Sequence, residues 1–311
     1  MDPREYYLQH STITDPGEHA PLLDDLAGDI GGLCSTVRGL VLHHLRGERA
    51  FGVSVPEDRR QELNTCFVSD MLERIVELDD RPLKEPRPPE RRLVGCCRDF
   101  AVLLCATARH KGIPARVRFG FTAYRKDEFN YDHVVTECWD AAERRWLTVD
   151  PELGDGDLAA TLTTVDSSRT LAVEFIPAHV AWQRCSQGAA DPSAFGRAPG
   201  DRLEPTAAIR HSLLHDLAAL NRAELLLWSA WGLAESGQAE EEEGLLDQVA
   251  ELAGEVDGEL AGLLEIYEAH PSLRAPDLDQ GSGPKQSLPE SSPGLLGRSR
   301  SARQVRQPRL P

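Results

Sequence analysis

The chain has 311 residues and a formal net charge of −17. That length supports a full buried core, with room for one catalytic domain and a helical appendage, and that acidity argues against nucleic acid as the main partner. No apolar run approaches the ~18 residues of a membrane span. The opening MDPREYYLQHSTITDPGEH lacks a basic segment followed by an apolar core, so the expectation is a cytoplasmic protein with no membrane contact.

Residues 1–20 read as an extended, polar lead-in. Residues 21–46 read as helical, with Leu22, Leu23, Leu26, Ile30, Leu33, Val37, Leu40, Val41 and Leu45 at helical spacing and an interruption near Gly31-Gly32. A second helix is predicted from Val68 to Leu78, with Met71, Leu72, Ile75 and Val76 on its apolar face. The stretch Arg81–Pro89 is rich in proline and charge, which excludes a helix interior and makes it a connector.

The clearest helix is predicted over 97–111. Phe100, Leu103, Leu104, Thr107 and Ala108 share a face, Gly112 follows as the residue beyond the cap, and Pro114 blocks continuation. Ala115–Tyr124 alternates Val117, Phe119 and Phe121 with Arg116, Arg118 and Gly120, the pattern of a half-buried strand. A polar loop over Lys126–Asp132 leads to a strand beginning at His133 and ending at Trp139. A turn at Asp140–Glu143 and a third strand at Trp146–Val149 follow, and Asp150-Pro151 stops it. A helix followed by consecutive strands predicts an α+β fold, an antiparallel sheet packed on a central helix.

Beyond Pro151 the pattern predicts a strand at Thr170–Phe175 and a short helix over 178–185. Further helices are predicted over Pro205–Leu220, Ala223–Leu233, Glu240–Ala253 and Asp257–Glu268. From Pro271 the chain is rich in Pro, Ser, Gly and Arg, which predicts a disordered, locally basic tail. The division expected is residues 1–90 as the N-terminal helical part of the catalytic domain, 91–200 as its core, 201–270 as a C-terminal helical extension and 271–311 as the tail.

The seven cysteines, Cys34, Cys66, Cys96, Cys97, Cys105, Cys138 and Cys185, are odd in number and irregularly spaced. A reducing compartment fits them better than a disulfide scaffold, and with no CxxC pair no zinc site is expected. Most should be small buried apolar residues.

One cysteine has a chemical setting. A thiol at Cys97 would lie in the first turn of the predicted helix, where unpaired N–H groups and the positive end of the dipole stabilise a thiolate and can bind an oxyanion. Gly95 permits a tight entry and Asp99 suits the first turn. Cys96 is the competitor, but two adjacent cysteines cannot point the same way, so it is expected to pack or be exposed. Cys105, deeper in the helix, is expected in the core. His133, at a strand edge, could act as general base, and Asp150, at the end of the next strand, could hold its tautomer. If the two strands pair antiparallel, one hairpin brings both together.

The residues 91–153 resemble the core of the transglutaminase-like cysteine superfamily. Gly95-Cys96-Cys97-Arg98-Asp99-Phe100-Ala101 resembles its G-x-C-x-D-[FY]-A motif. Arg109-His110-Lys111-Gly112-Ile113-Pro114-Ala115-Arg116-Val117 resembles the R-x-x-G-I-P-A-R-x turn that follows, and Trp146-Leu147-Thr148-Val149-Asp150-Pro151 the W-x-x-V-D-P ending. More loosely, the chain resembles bacterial transglutaminase-domain proteins. The resemblance implies a papain/transglutaminase-like fold with Cys97 as nucleophile, His133 as base and Asp150 as the triad acid. It also implies an upstream Trp as oxyanion donor, but no Trp precedes Trp139 here, so the second donor is unassigned.

The expected activity is acyl transfer or hydrolysis at an amide or ester carbonyl through a thioester, with no cofactor and no metal. The expected partner is a protein, peptide or small-molecule acyl donor. Tyr124, Phe129 and Tyr131, in the loop Arg125–Asp132, are candidates to touch it or to pack the hairpin. The alternative is a transglutaminase-fold binding protein of weak or no activity.

Overall fold

The computed structural model describes residues 1–123, 129–153, 175–199, 204–234 and 242–278. The fold is α+β, with a helix at its centre packed on an antiparallel sheet and further helices around both.

The central helix α5 spans Cys97–His110, as its spacing predicts, and closes with Gly112 at φ +77°. Its environment differs from the expectation of one apolar face, because every residue from Cys97 to Arg109 is buried. The two arginines are tolerated there because their guanidinium groups meet oxygen acceptors. Arg98 donates to the carbonyl of Glu224 at 2.6 Å and of Cys66 at 2.8 Å. Arg109 donates to the Ala115 carbonyl at 2.9 Å, to Thr14 Oγ1 at 2.8 Å and to Glu224 Oε1 at 3.1 Å.

The N-terminal lead-in is not extended. It forms α1 (Pro3–Leu8), capped by the Asp2 carboxylate on the Arg4 N–H at 2.9 Å. Tyr7 anchors it, fully buried, with its hydroxyl donating to the Leu220 carbonyl at 3.0 Å. The helix expected over 21–46 shrinks to α2 (Ile30–Leu40), started by Asp29, whose carboxylate accepts from the Gly32 N–H at 2.9 Å. At Val41 the backbone turns extended and forms β1 (Val41–His43), which pairs in parallel with β2 (Leu93–Gly95), His43 opposite Gly95. A five-residue helix α3 (Gly47–Phe51) follows β1, and α4 (Val68–Leu78) falls where its spacing places it.

The main sheet contains β3 (Ala115–Thr122), β4 (Asn130–Asp140), β5 (Arg145–Val149) and β6 (Phe175–Pro177) in the order β5-β4-β3-β6, all antiparallel. A two-residue β7 (Phe195–Gly196) pairs in parallel with the start of β4. β4 begins three residues before the predicted His133, so part of the expected loop is strand. All eight residues of β3 are buried rather than alternate ones. Its arginines are covered by the C-terminal helices and paired. Arg116 reaches Glu137 at 2.6 Å and Asp257 at 2.7 Å, and Arg118 reaches Glu137 at 3.0 Å and Asp216 at 2.9 Å.

Those helices are α6 (Ala178–Ser186), α7 (Pro205–Leu220), α8 (Glu243–Gly254) and α9 (Val256–Ala269). The helix predicted over Ala223–Leu233 is absent: α7 ends as Arg222 takes a φ of +61°, and only a 3-10 turn at Gly232–Ala234 follows. The carbonyl of Glu224, which a helix would use internally, is occupied by Arg98. Of the expected tail, Leu273 is buried and its carbonyl accepts from Trp231 Nε1 at 3.1 Å, while residues 279–311 lie outside the described residues. The predicted strand at Thr170–Phe175 falls outside them too, save Phe175, the first residue of β6. Among the described residues no helix is long and apolar enough to cross a membrane.

Candidate active site

β2 delivers the chain to the N-terminus of α5. Gly95 is required there by close approach: a Cβ would sit 2.9 Å from Val41 Cγ1 and 3.0 Å from Asp99 Oδ2. Cys96 is the N-cap, and its backbone N–H donates to Asp99 Oδ2 at 2.8 Å. Asp99 thereby fixes the first turn and the direction in which Cys97 leaves it. Cys97 is buried, 8 % exposed, at the first helical position.

The β4–β5 hairpin supplies the other two predicted groups. Thr136 lies opposite Val149. One step further along that register, Asp150 falls opposite Val135 and diagonal to His133, on the same face by the period of two. His133 Nε2 donates to Asp150 Oδ2 at 2.6 Å, and both side chains are buried. The second oxygen, Asp150 Oδ1, accepts from the backbone N–H of Glu152 at 2.9 Å. The carboxylate is therefore fixed at both oxygens. The other ring nitrogen of His133 is left for the Cys97 thiol, to which it is hydrogen-bonded.

The electrostatics match that arrangement. A hydrogen bond from the Cys96 thiol does most to lower Cys97. Burial opposes it, the hydrogen bond and charge of His133 add to it, and the Glu152 carboxylate works against it. The net result is a Cys97 thiol lowered from 9.0 to about 6. Cys96 goes the other way, raised by the same hydrogen bond, by burial and by the charge of Asp99. Burial alone would lower His133, but the charge and hydrogen bond of Asp150, with Cys97 beside it, hold it well above its ordinary value. Burial would raise Asp150, yet the charge and hydrogen bond of His133, the Glu152 N–H and the charge of Arg46 hold it low. The site therefore favours a thiolate–imidazolium pair.

The structure thus brings Cys97 into one cluster with His133 and Asp150, the latter two joined by the hairpin register. Cys96 packs, one of the two outcomes expected, but its thiol meets that of Cys97 instead of pointing away from it. Cys96 is neither exposed nor remote from Cys97; it is buried, packs with Leu63 and Val94, and donates its S–H toward Cys97. Helix start and N-cap present two successive thiols to the same small volume. Cys105 is in the core, fully buried. All seven cysteines are free. Of the aromatic candidates, Phe129 is buried and stacks edge-on with Tyr131 at 4.9 Å, whereas Tyr124 lies outside the described residues.

Three site residues carried no signal in the sequence. Glu152 is buried beside Asp150 and pairs with Arg46 at 2.8 Å. His43, at the end of β1, points its Nε2 to within 3.9 Å of Glu152 Oε1. His43, Arg46 and Cys97 are distant in sequence, and only the β1–β2 pairing brings them together. His133, Asp150 and Glu152 offer ligand atoms within 4.8 Å of one another, a spacing that a metal ion could bridge. His133 and Asp150 are, however, bonded to each other already.

No curated protein matches the chain. Among solved structures it resembles the crystal structure of a "putative cysteine protease" from Cytophaga hutchinsonii, at 17 % identity and a TM-score of 0.31. The likeness covers 48 % of this chain and 42 % of that one, so the chain spans less than half of that protein's length. The model of the Transglutaminase-like superfamily matches residues 68–151, a segment that runs from the first residue of α4 through α5 and the β4–β5 hairpin to Pro151. Over those residues, about a quarter of the chain, the sequence is similar to the core of the transglutaminase-like superfamily.

Proposed function

We propose that this protein is a cysteine enzyme that attacks an amide or ester carbonyl and passes through a thioester, transferring the acyl group to an amine or to water. The observation that carries the reading is the hydrogen-bonded series Cys97–His133–Asp150 at the N-terminus of a 14-residue helix, with the thiol lowered to about 6. The match to the transglutaminase-like superfamily supports a cysteine enzyme at that coarse level.

In this reading the Cys97 thiolate forms a bond to the carbonyl carbon and the carbonyl electron pair moves onto oxygen. The tetrahedral intermediate collapses as the leaving amine or alcohol takes the proton from the His133 imidazolium. The thioester remains on Cys97. His133, now neutral, removes a proton from the incoming water or amine, which displaces the thiolate. Asp150 orients the ring through Nε2 and stabilises its charged form throughout.

The test is acyl trapping. The protein is incubated with p-nitrophenyl acetate, and the adduct is mapped by mass spectrometry. Acetylation of Cys97, abolished in Cys97→Ala, is the expected result. An adduct on Cys96 would overturn the assignment of the nucleophile. A wild-type Cys97 that takes no acyl group and alkylates with iodoacetamide at pH 6 no faster than a free thiol would overturn the enzyme reading in favour of a binding role.

A further inference from the structure

A carbonyl attacked by Cys97 needs donors for the oxygen on which charge develops. The Cys97 backbone N–H, the first of α5, has no intrahelical acceptor and is one such donor. The sequence offers no tryptophan upstream of Trp139 for a second. His43, whose Nε2 lies 3.9 Å from Glu152 Oε1 at the edge of the site, is a candidate for the second.

The tautomer of His43 is set by the backbone. The N–H of Leu45 donates to His43 Nδ1 at 3.1 Å, so that nitrogen must carry a lone pair. A neutral His43 is then protonated at Nε2, and Nε2 is the atom that faces the site, 3.9 Å from Glu152 Oε1. The Glu152 carboxylate is itself grouped with the ligand atoms of His133 and Asp150. The distance to Glu152 is too long for a hydrogen bond, so the proton is held near the site without being bound to that carboxylate.

The ring is also held. His43 lies opposite Gly95 in the β1–β2 register, two residues before Cys97. It stacks on His44 with ring centroids 5.1 Å apart and planes 17° from parallel, and its side chain is only 12 % exposed. Burial and the charges of Arg46 and His133 push it down to about 3 against the opposing charge of Asp150, so the ring is neutral near neutral pH. A neutral imidazole donates a hydrogen bond to a developing oxyanion without competing with His133 as the acid.

We infer that His43, through Nε2–H, is the second oxyanion donor of this site, acting with the backbone N–H of Cys97 on the carbonyl oxygen of the acyl donor. The inference rests on the acyl-transfer reading above. It adds no proton transfer, since Nε2 keeps its hydrogen throughout.

Alkylation and acylation separate the role. Iodoacetamide reacts with the thiolate at a saturated carbon and forms no oxyanion, whereas p-nitrophenyl acetate reacts at a carbonyl. His43→Phe keeps a ring to stack on His44 and lacks the donor; His43→Gln keeps an N–H. The expected result is alkylation of Cys97 in His43→Phe within about threefold of wild type, with acylation down about 10²-fold. His43→Gln is expected to recover part of the acylation rate. Acylation at the wild-type rate in His43→Phe would overturn the inference, as would alkylation and acylation falling by one common factor in both variants. Were His43→Phe not to fold, the ratio of acylation to alkylation in His43→Gln and His43→Ala decides in the same way. A wild-type protein that alkylates no faster than a free thiol overturns the acyl-transfer reading instead, which keeps the two failures apart.

Discussion

His133 Nε2 donates to Asp150 Oδ2 at 2.6 Å because one hairpin register puts the two residues diagonal to each other across adjacent strands. The relationship is local in space and cheap in chain: seventeen residues separate them. It also dictates which ring nitrogen faces the thiol. The pair is buried on both sides, so the charge of Asp150 acts on His133 with little screening.

Asp150→Asn tests that dependence. The amide keeps the shape but removes the charge that raises His133. The imidazolium is then less favoured, and the Cys97 thiolate loses part of its counter-charge. The midpoint of alkylation with pH is expected to move up from about 6, and acylation to fall by about 10²–10⁴-fold. An unchanged pH midpoint would remove Asp150 from the site's electrostatics.

Cys96→Ala isolates the neighbouring thiol. Its hydrogen bond is the largest influence lowering Cys97. Without it the thiol should titrate closer to its ordinary value, so alkylation at pH 6 falls by about tenfold for each unit of upward movement. At pH well above the ordinary thiol range both proteins carry full thiolate, and their rates should converge. Equal rates at pH 6 would mean that His133 and the helix suffice.

The clustering of Cys97, His133 and Asp150 was legible because each sits at the edge of an element with a local sequence signature. Gly95-Cys96-Cys97 enters a helix that ends at Gly112, and Asp150-Pro151 stops a strand. His43 and Glu152 were not legible. The place of His43 depends on β1, a three-residue strand whose partner lies about fifty residues on, and short parallel pairings leave no periodicity to read, while Glu152 follows the strand that ends at Asp150 and is turned into the site by its N–H on the Asp150 carboxylate. Arg116 and Arg118 misled for a related reason. Alternation with apolar residues predicts a solvated face, but α7, α9 and Glu137 bring carboxylates that let that face be buried. The helix expected over 223–233 failed because a tertiary contact, from Arg98, occupies a carbonyl that propensity assigns to the helix.

Gly120→Ala probes the support beneath His133. Gly120 lies opposite His133 on one side and Pro177 on the other. A Cβ there would stand 2.2 Å from the Ile176 carbonyl oxygen, a backbone atom that cannot rotate away. The edge strand β6 should be displaced, with a loss of about 1–3 kcal/mol. Hydrogen exchange at Ile176 should accelerate relative to β4 amides. Exchange and stability at wild-type values would show that the sheet absorbs the methyl group without separating.

Glu224→Gln tests what holds the ends of α5. Glu224 is fully buried in the loop after α7. Its carbonyl accepts from Arg98 near the start of the helix, and its carboxylate accepts from Arg109 near the end at 3.1 Å and from Ser11 at 2.7 Å. The amide preserves the backbone contact and removes only the charge, which leaves the Arg109 guanidinium, 0 % exposed, without its buried counter-ion. Breaking such a pair from one side costs about 3–5 kcal/mol. The urea midpoint should drop with an unchanged slope, since the surface exposed on unfolding is the same. The alkylation midpoint of Cys97 should stay near about 6 in the folded variant, because Glu224 acts on the frame and not on the thiol. A loss below about 1 kcal/mol would mean that the carbonyl acceptors around Arg109 satisfy it alone.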